Sequence, residues 1–235
     1  MLRSTGGIRR FIAGRVVGLG ISVVVAACSS SNTTSPGTPS IVTVTGGATQ
    51  SGTVNNQLTQ PIVVLVTDAD GHPVSGVSVA FAPSANGGTV SSAQATTDAG
   101  GLAQVNWKLG TVAGLDSMTI TMGTQSAVVT AVATADVASQ IAIVAGNSQA
   151  APADSTLGSP LTVKVTDQYG NPVGGVTVNW SSDDGGVLAS TSTVTDANGL
   201  AQDTLTLGER GTDEVSVAVI VGTVPLTAVF TEQSM

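Results

Sequence analysis

The chain has 235 residues, with 7 Lys+Arg against 15 Asp+Glu and a formal net charge of −8; 9% of residues are charged, 3% aromatic and 41% hydrophobic. This balance excludes a disordered chain, which combines low hydrophobicity with high charge, and a nucleic-acid binder, which needs basic residues to neutralise phosphates. Val occurs 35 times and Thr 32 times, and that β-branched excess predicts an all-β protein.

Arg3, Arg9, Arg10 and Arg15 precede an apolar run over residues 16–27. The run falls short of the ~20 residues a membrane-spanning helix needs. A basic start, a short apolar centre and small residues at the end define a secretory signal over residues 1–27. It closes on Val25-Ala26-Ala27-Cys28, which resembles the lipobox of bacterial lipoproteins. That resemblance implies cleavage between Ala27 and Cys28, a diacylglycerol thioether on Cys28 and acylation of the freed amine. Small alanines suit the peptidase subsites, and only a thiolate forms the thioether. Arg9-Arg10-Phe11-Ile12 is similar to a twin-arginine export signal, except that Ile8 stands where Ser or Thr is preferred. Cys28 is the only cysteine, so no disulfide is available and the domains must fold by core packing alone. Residues 28–40 then read as a Ser/Thr/Pro tether, spanning on the order of 20 Å as a flexible coil.

The remaining sequence repeats itself. Val66-Thr67-Asp68-Ala69-Asp70-Gly71-His72-Pro73-Val74 returns as Val165-Thr166-Asp167-Gln168-Tyr169-Gly170-Asn171-Pro172-Val173, and Thr97-Asp98-Ala99-Gly100-Gly101-Leu102-Ala103 returns as Thr195-Asp196-Ala197-Asn198-Gly199-Leu200-Ala201. Two domains are expected, at 41–135 and 136–235. In each, period-two alternation marks half-buried strands: Val77, Val79 and Phe81; Ala103, Val105, Trp107 and Leu109; Met118, Ile120 and Met122; Val215, Val217 and Val219. Asp-x-x-Gly-x-Pro-Val and Thr-Asp-x-x-Gly supply tight turns between them. Roughly seven short strands in under 100 residues predict an antiparallel β-sandwich.

The order Asp-x-x-Gly-x-Pro-Val, Gly-Val-x-Val-aromatic, Gly-Gly, Thr-Asp-x-x-Gly-x-Ala and Leu-Gly resembles the bacterial Ig-like domains of the invasin/intimin group, in both copies. The resemblance implies two tandem Ig-like sandwiches used as a rigid spacer in surface adhesion. Neither the outer-membrane barrel nor the lectin-like tip of that group's large adhesins is found in these residues, and the lipid on Cys28 is expected to replace the barrel as anchor.

Candidate chemistry is sparse, and no catalytic, cofactor or metal residue is assigned. His72 is the only histidine and lies in a turn, where a Ser–His–Asp arrangement has no place. Asp183 and Asp184 adjoin Gly185-Gly186 and read as turn formers rather than a glycosidase pair. Asp68-Ala69-Asp70-Gly71 begins like a calcium loop but lacks the later ligands; Asp136 near the domain boundary is a further acid that could join a cation site. Asp203 falls on the core-facing side of its strand, so it is expected at the rim or accepting backbone N–H bonds. Trp107 and Trp180 fall on different strands of the two copies and read as core. Tyr169 is the one aromatic expected to be exposed, and it is the candidate ligand contact.

The reading is a non-enzymatic, lipid-anchored protein of the outer membrane or cell surface, whose two domains project on the order of 60 Å as a stalk or adhesion module. Its partners are the membrane through Cys28 and a host or envelope protein or glycan, with no nucleic acid. Two alternatives are an adhesin binding a host protein or glycan through the second domain, and a calcium-rigidified envelope protein. All fifteen acids follow Cys28 while four of the seven bases precede it. The exported part is therefore strongly acidic, which favours holding it away from an anionic membrane surface.

Overall fold

The computed structural model describes residues 37–183 and 185–235. The signal segment, Ala27, Cys28 and the tether up to residue 36 lie outside the described residues. The first repeat folds as ten strand segments: β1 (Ile41–Gly46), β2 (Gln50–Thr53), β3 (Ile62–Thr67), β4 (Ser78–Pro83), β5 (Thr89–Val90), β6 (Gln94–Thr96), β7 (Leu102–Val105), β8 (Trp107–Lys108), β9 (Gly114–Met122) and β10 (Gln125–Thr134). The second repeats them as β11 (Gln140–Ala145), β12 (Ala150–Ala151), β13 (Leu161–Thr166), β14 (Thr177–Ser182), β15 (Val187–Leu188), β16 (Ser192–Val194), β17 (Leu200–Asp203), β18 (Leu205–Thr206), β19 (Gly211–Val221) and β20 (Val224–Ser234). Each repeat packs a three-stranded sheet (β1-β3-β7; β11-β13-β17) against a five-stranded one (β2-β10-β9-β4-β6; β12-β20-β19-β14-β16), with a short ribbon (β5-β8; β15-β18) at the side. The all-β tandem sandwich expected from the alternation is the observed fold.

The alternating residues meet between the sheets. Ile62, Val64 and Val66 face Val79, Phe81, Met118, Ile120 and Trp107 in the first core; Leu161, Val163 and Val165 face Val178, Val217, Leu205 and Phe230 in the second. Burial of each such side chain contributes about 1.5–3 kcal/mol. Both tryptophans are core residues whose indole N–H is satisfied: Trp107 Nε1 donates to Gly87 O (2.6 Å), and Trp180 Nε1 donates to Thr193 Oγ1 (2.8 Å).

Two departures from simple antiparallel alternation have local causes. The Ala103–Leu109 alternation is not one strand. It breaks at Asn106, so that β7 pairs with β3 while β8 pairs with β5. Second, β2 and β12 run parallel to β10 and β20. The first strand shifts register at Val44/Gly46, and the chain turns through Gly47 and Thr49, both at positive φ. It thereby crosses to the other sheet without reversing direction, so the new pairing is parallel.

The turn motifs explain their own residues. Thr97 Oγ1 accepts the Val77 N–H and donates to Val74 O, tying two strands together from a buried position; Thr195 repeats this with Val176 and Val173. Asp98 and Asp196 accept two backbone N–H bonds each across their turns. The Gly after them is obligatory: Gly199 has φ +73°, and a Cβ there would stand 2.4 Å from Val165 O.

Besides Asp167, three buried carboxyl groups in the second sandwich differ in how they are satisfied. Asp203 is 6% exposed, and its oxygens accept N–H bonds from Ser190 (3.1 Å) and Thr204 (2.9 Å). Asp213 and Glu232 lie directly opposite each other on β19 and β20, and each keeps one buried oxygen, Oδ2 and Oε1, without a partner. Burial raises the Glu232 carboxyl above its ordinary 4.5, against the pull of N–H bonds from Gln149 and Ser148. The first sandwich has Ala131 opposite Asp116 at this place, so only the second carries the extra buried acid.

The junction between the two sandwiches

The segment joining the repeats, residues 136–139, is fixed by hydrogen bonds to the second sandwich. Asp136 N donates to Asp167 Oδ2 (3.0 Å), Ser139 N to Thr166 O (2.9 Å), and Gln168 Nε2 to Asp136 Oδ2 (2.9 Å). Asp167, fully buried, is the centre of this arrangement. Its Oδ1 accepts the N–H groups of Tyr169 (2.8 Å) and Asn171 (2.9 Å), and its Oδ2 also accepts Asn171 Nδ2 (2.8 Å). Burial alone would raise this carboxyl. Bonds from the Asn171 side chain and from the backbone of Asp136, Asn171 and Tyr169 outweigh it, holding the group below the usual 3.8.

Held in this way, the 167–171 turn grips the end of the first sandwich. The Asn171 amide works in both directions, accepting from Ala113 N through Oδ1 (2.8 Å) and donating to Thr111 O through Nδ2 (2.8 Å). Asn171 is only 7% exposed. Beside it, Asn55 Nδ2 donates to the Tyr169 hydroxyl (2.7 Å). Asn55 is itself preset, with φ +60° and its N–H on Gly110 O.

Tyr169, the candidate ligand contact, is thus 37% exposed and stands at the junction, not at the far end of the second sandwich. The loop that carries it faces the first sandwich because it adjoins the incoming linker. Asn171 was not among the candidates. Its signal in the sequence was only that the turn reads Asn where the first repeat reads His72.

The first repeat shows the same entry apparatus. Gly37 N donates to Asp68 Oδ2 (3.0 Å), and Ser40 N to Thr67 O (2.9 Å), as Asp136 and Ser139 do in the second. The last residues of the expected tether, 37–40, are therefore bound to the domain. Asp68, Asp70 and His72 bring ligand atoms within 4.8 Å of one another. The Asp68 oxygens already accept N–H bonds from Gly37, Asp70 and His72, and the bond from Gly37 leads in holding its carboxyl below 3.8. Asp136 is likewise occupied by Val137 N and Gln168 Nε2. His72 is an exposed turn residue 3.4 Å from Asp68 Oδ2. Among the described residues no helix is long and apolar enough to cross a membrane.

Residues 141–231 match the family model of the bacterial Ig-like domain (group 1). No curated protein matches the chain. Among solved structures, InvD of Yersinia pseudotuberculosis is similar at 20% identity, with a TM-score of 0.57 over 79% of this chain and 55% of that one. FdeC, an Escherichia coli adhesin, is similar at 23% identity, with a TM-score of 0.46 over 83% of this chain and 64% of that one. The D0-D1 fragment of intimin is similar at 20% identity, with a TM-score of 0.33 over 83% of this chain and 99% of that one. The chain spans a little over half of the InvD structure. The family match and the likeness to InvD agree with the Ig-like repeats built up above.

Proposed function

We propose that this chain is a non-catalytic surface stalk, anchored to the bacterial envelope by lipid on Cys28, with domains at 41–135 and 136–235. The observation that carries the reading is the junction. A buried carboxylate with four N–H bonds holds both the linker and the turn that makes hydrogen bonds to the preceding sandwich, and these bonds oppose the relative motion that tandem domains otherwise show. A spacer needs this property and an enzyme does not. Support for the surface location comes from the signal and lipobox pattern, the acidity of the exported part, and a fold shared with proteins described as adhesins. Adhesion to a host or envelope protein or glycan is the task such a stalk serves. The calcium-stiffened alternative has less support, because the oxygens of Asp68 and Asp167 already accept N–H bonds. Exchanging Cys28→Ala, together with protease treatment of intact cells, tests the reading. Wild-type protein should fractionate with the membrane and be cut from outside, and the variant should be released in soluble form. Membrane retention of the variant, or protection of both domains on intact cells, would contradict it.

A further inference from the structure

Beside the junction, the end of the first sandwich is hollowed into a groove of about 280 Å³ lined by Asn55, Asn86, Thr89, Lys108, Thr111 and Val112. The wall residue Asn55 donates to the hydroxyl of Tyr169, which places that hydroxyl next to the groove. Lys108 is the only Lys or Arg between residues 41 and 135. The one ion pair among the described residues is His72 with Asp68, so Lys108 has no carboxylate partner. An exposed ammonium, two carboxamides and two threonine hydroxyls thus converge beside a half-exposed aromatic ring whose hydroxyl is fixed. The walls mix polar and apolar surface, with Ala85, Leu109 and Val112 as the apolar contacts. That set suits a ligand bearing many hydroxyls, one apolar ring face and one negative charge. The volume lies just below the ~300–1,000 Å³ of small-ligand clefts, which suits an end group and not a long chain.

The second sandwich supplies an internal comparison. Where the first has Lys108 and Asn55, the repeated sequence has Thr206 and Asp154, and Glu209 replaces Thr111. Asp154 keeps the backbone conformation of Asn55, φ +61° against +60°, so the local frame is retained while a neutral amide becomes a carboxylate. The corresponding hollow is lined by Gly185, Glu209, Arg210, Gly211 and Thr212, so a carboxylate and a guanidinium stand together there. Among the described residues, the version with two amides, a cation and no acid in its lining is the one beside Tyr169.

We infer that the junction groove binds a carboxylated sugar, the end group of a uronate polymer or of a sialylated glycan. Lys108 faces the carboxylate, the Asn55 and Asn86 amides bond ring hydroxyls, and the Tyr169 ring covers the apolar face. This assignment adds a ligand to the stalk and does not depend on the lipid anchor or on surface exposure. It is tested by titrating the whole chain with glucuronate and with N-acetylneuraminate, using glucose and N-acetylglucosamine as neutral controls, while following backbone NMR shifts. Saturable shifts at Lys108, Asn55 and Tyr169 are expected with at least one acidic sugar, and binding about tenfold weaker or worse with the neutral ones. The acid that binds identifies the source. Lys108→Ala, at an exposed position the fold does not need, should weaken binding about tenfold, Lys108→Arg should largely restore it, and Tyr169→Ala should weaken it. No saturable shift with either acid, equal binding of neutral sugars, or unchanged affinity in Lys108→Ala would overturn the assignment.

Discussion

Replacing Asn171 by Ala should uncouple the two sandwiches. Its amide makes two bonds across the junction, to Ala113 N and Thr111 O, and a third to Asp167 Oδ2, all at 2.8 Å. Each neutral bond contributes about 1 kcal/mol net, so the interdomain loss is roughly 2 kcal/mol, or about thirtyfold in the ratio of docked to undocked junctions. The bond to the carboxylate lies within the second sandwich and adds about 1.5–3 kcal/mol to that domain alone. Backbone 15N relaxation separates the two effects. The wild-type sandwiches should tumble with one correlation time, and in Asn171→Ala each should tumble faster and independently. Asn171→His keeps the turn as the first repeat builds it with His72, and should uncouple the domains with less loss of stability. Unchanged common tumbling in both variants would refute the clamp.

Other consequences follow from buried polar groups and backbone constraints. Because the folded Glu232 carboxyl is raised above 4.5, its stability contribution is present below that pH and lost as pH rises through the folded value. Glu232→Gln should therefore raise the melting temperature of the second sandwich at neutral pH by a few degrees, and the gain should vanish near pH 4 in thermal scans followed by circular dichroism. Asp167 is shifted the other way, so its contribution is present above the ordinary 3.8 and is lost only as pH falls through its lower folded value; the junction should stay docked at pH 5 by relaxation measurements. Gly199→Ala forces a Cβ against Val165 O at φ +73° and should cost about 1–3 kcal/mol or more in urea unfolding. Thr97→Val removes a buried hydroxyl that bridges Val77 N and Val74 O. It should cost about 1–3 kcal/mol, confined to the first sandwich.

The alternation of Val, Phe, Trp and Met was enough to read the sandwich, because a residue facing a two-sheet core must recur every second position. Repetition of the turn motifs was legible because each motif fixes backbone N–H groups to an Asp carboxylate in the same way in both copies. The path of the chain between sheets was less legible. Nothing about Asn106 in isolation announces that the strand changes partner there, and the parallel pairing of β2 depends on where Gly47 and Thr49 send the backbone. Asp203 was readable as an anomaly, and its two N–H bonds are the satisfaction the pattern required. The junction was the least legible part. Tyr169 was visible as an exposed aromatic, but its position relative to Asn55 joins residues 114 apart in sequence. Asn171 looked like one turn residue among many until the loop it grips was in place.

Residual dipolar couplings measured on the wild-type chain test the rigid junction most directly. Amide couplings from both sandwiches should fit a single alignment tensor with the domain orientation of the structure. Two tensors of different magnitude for the two domains would show a free hinge and contradict the stalk.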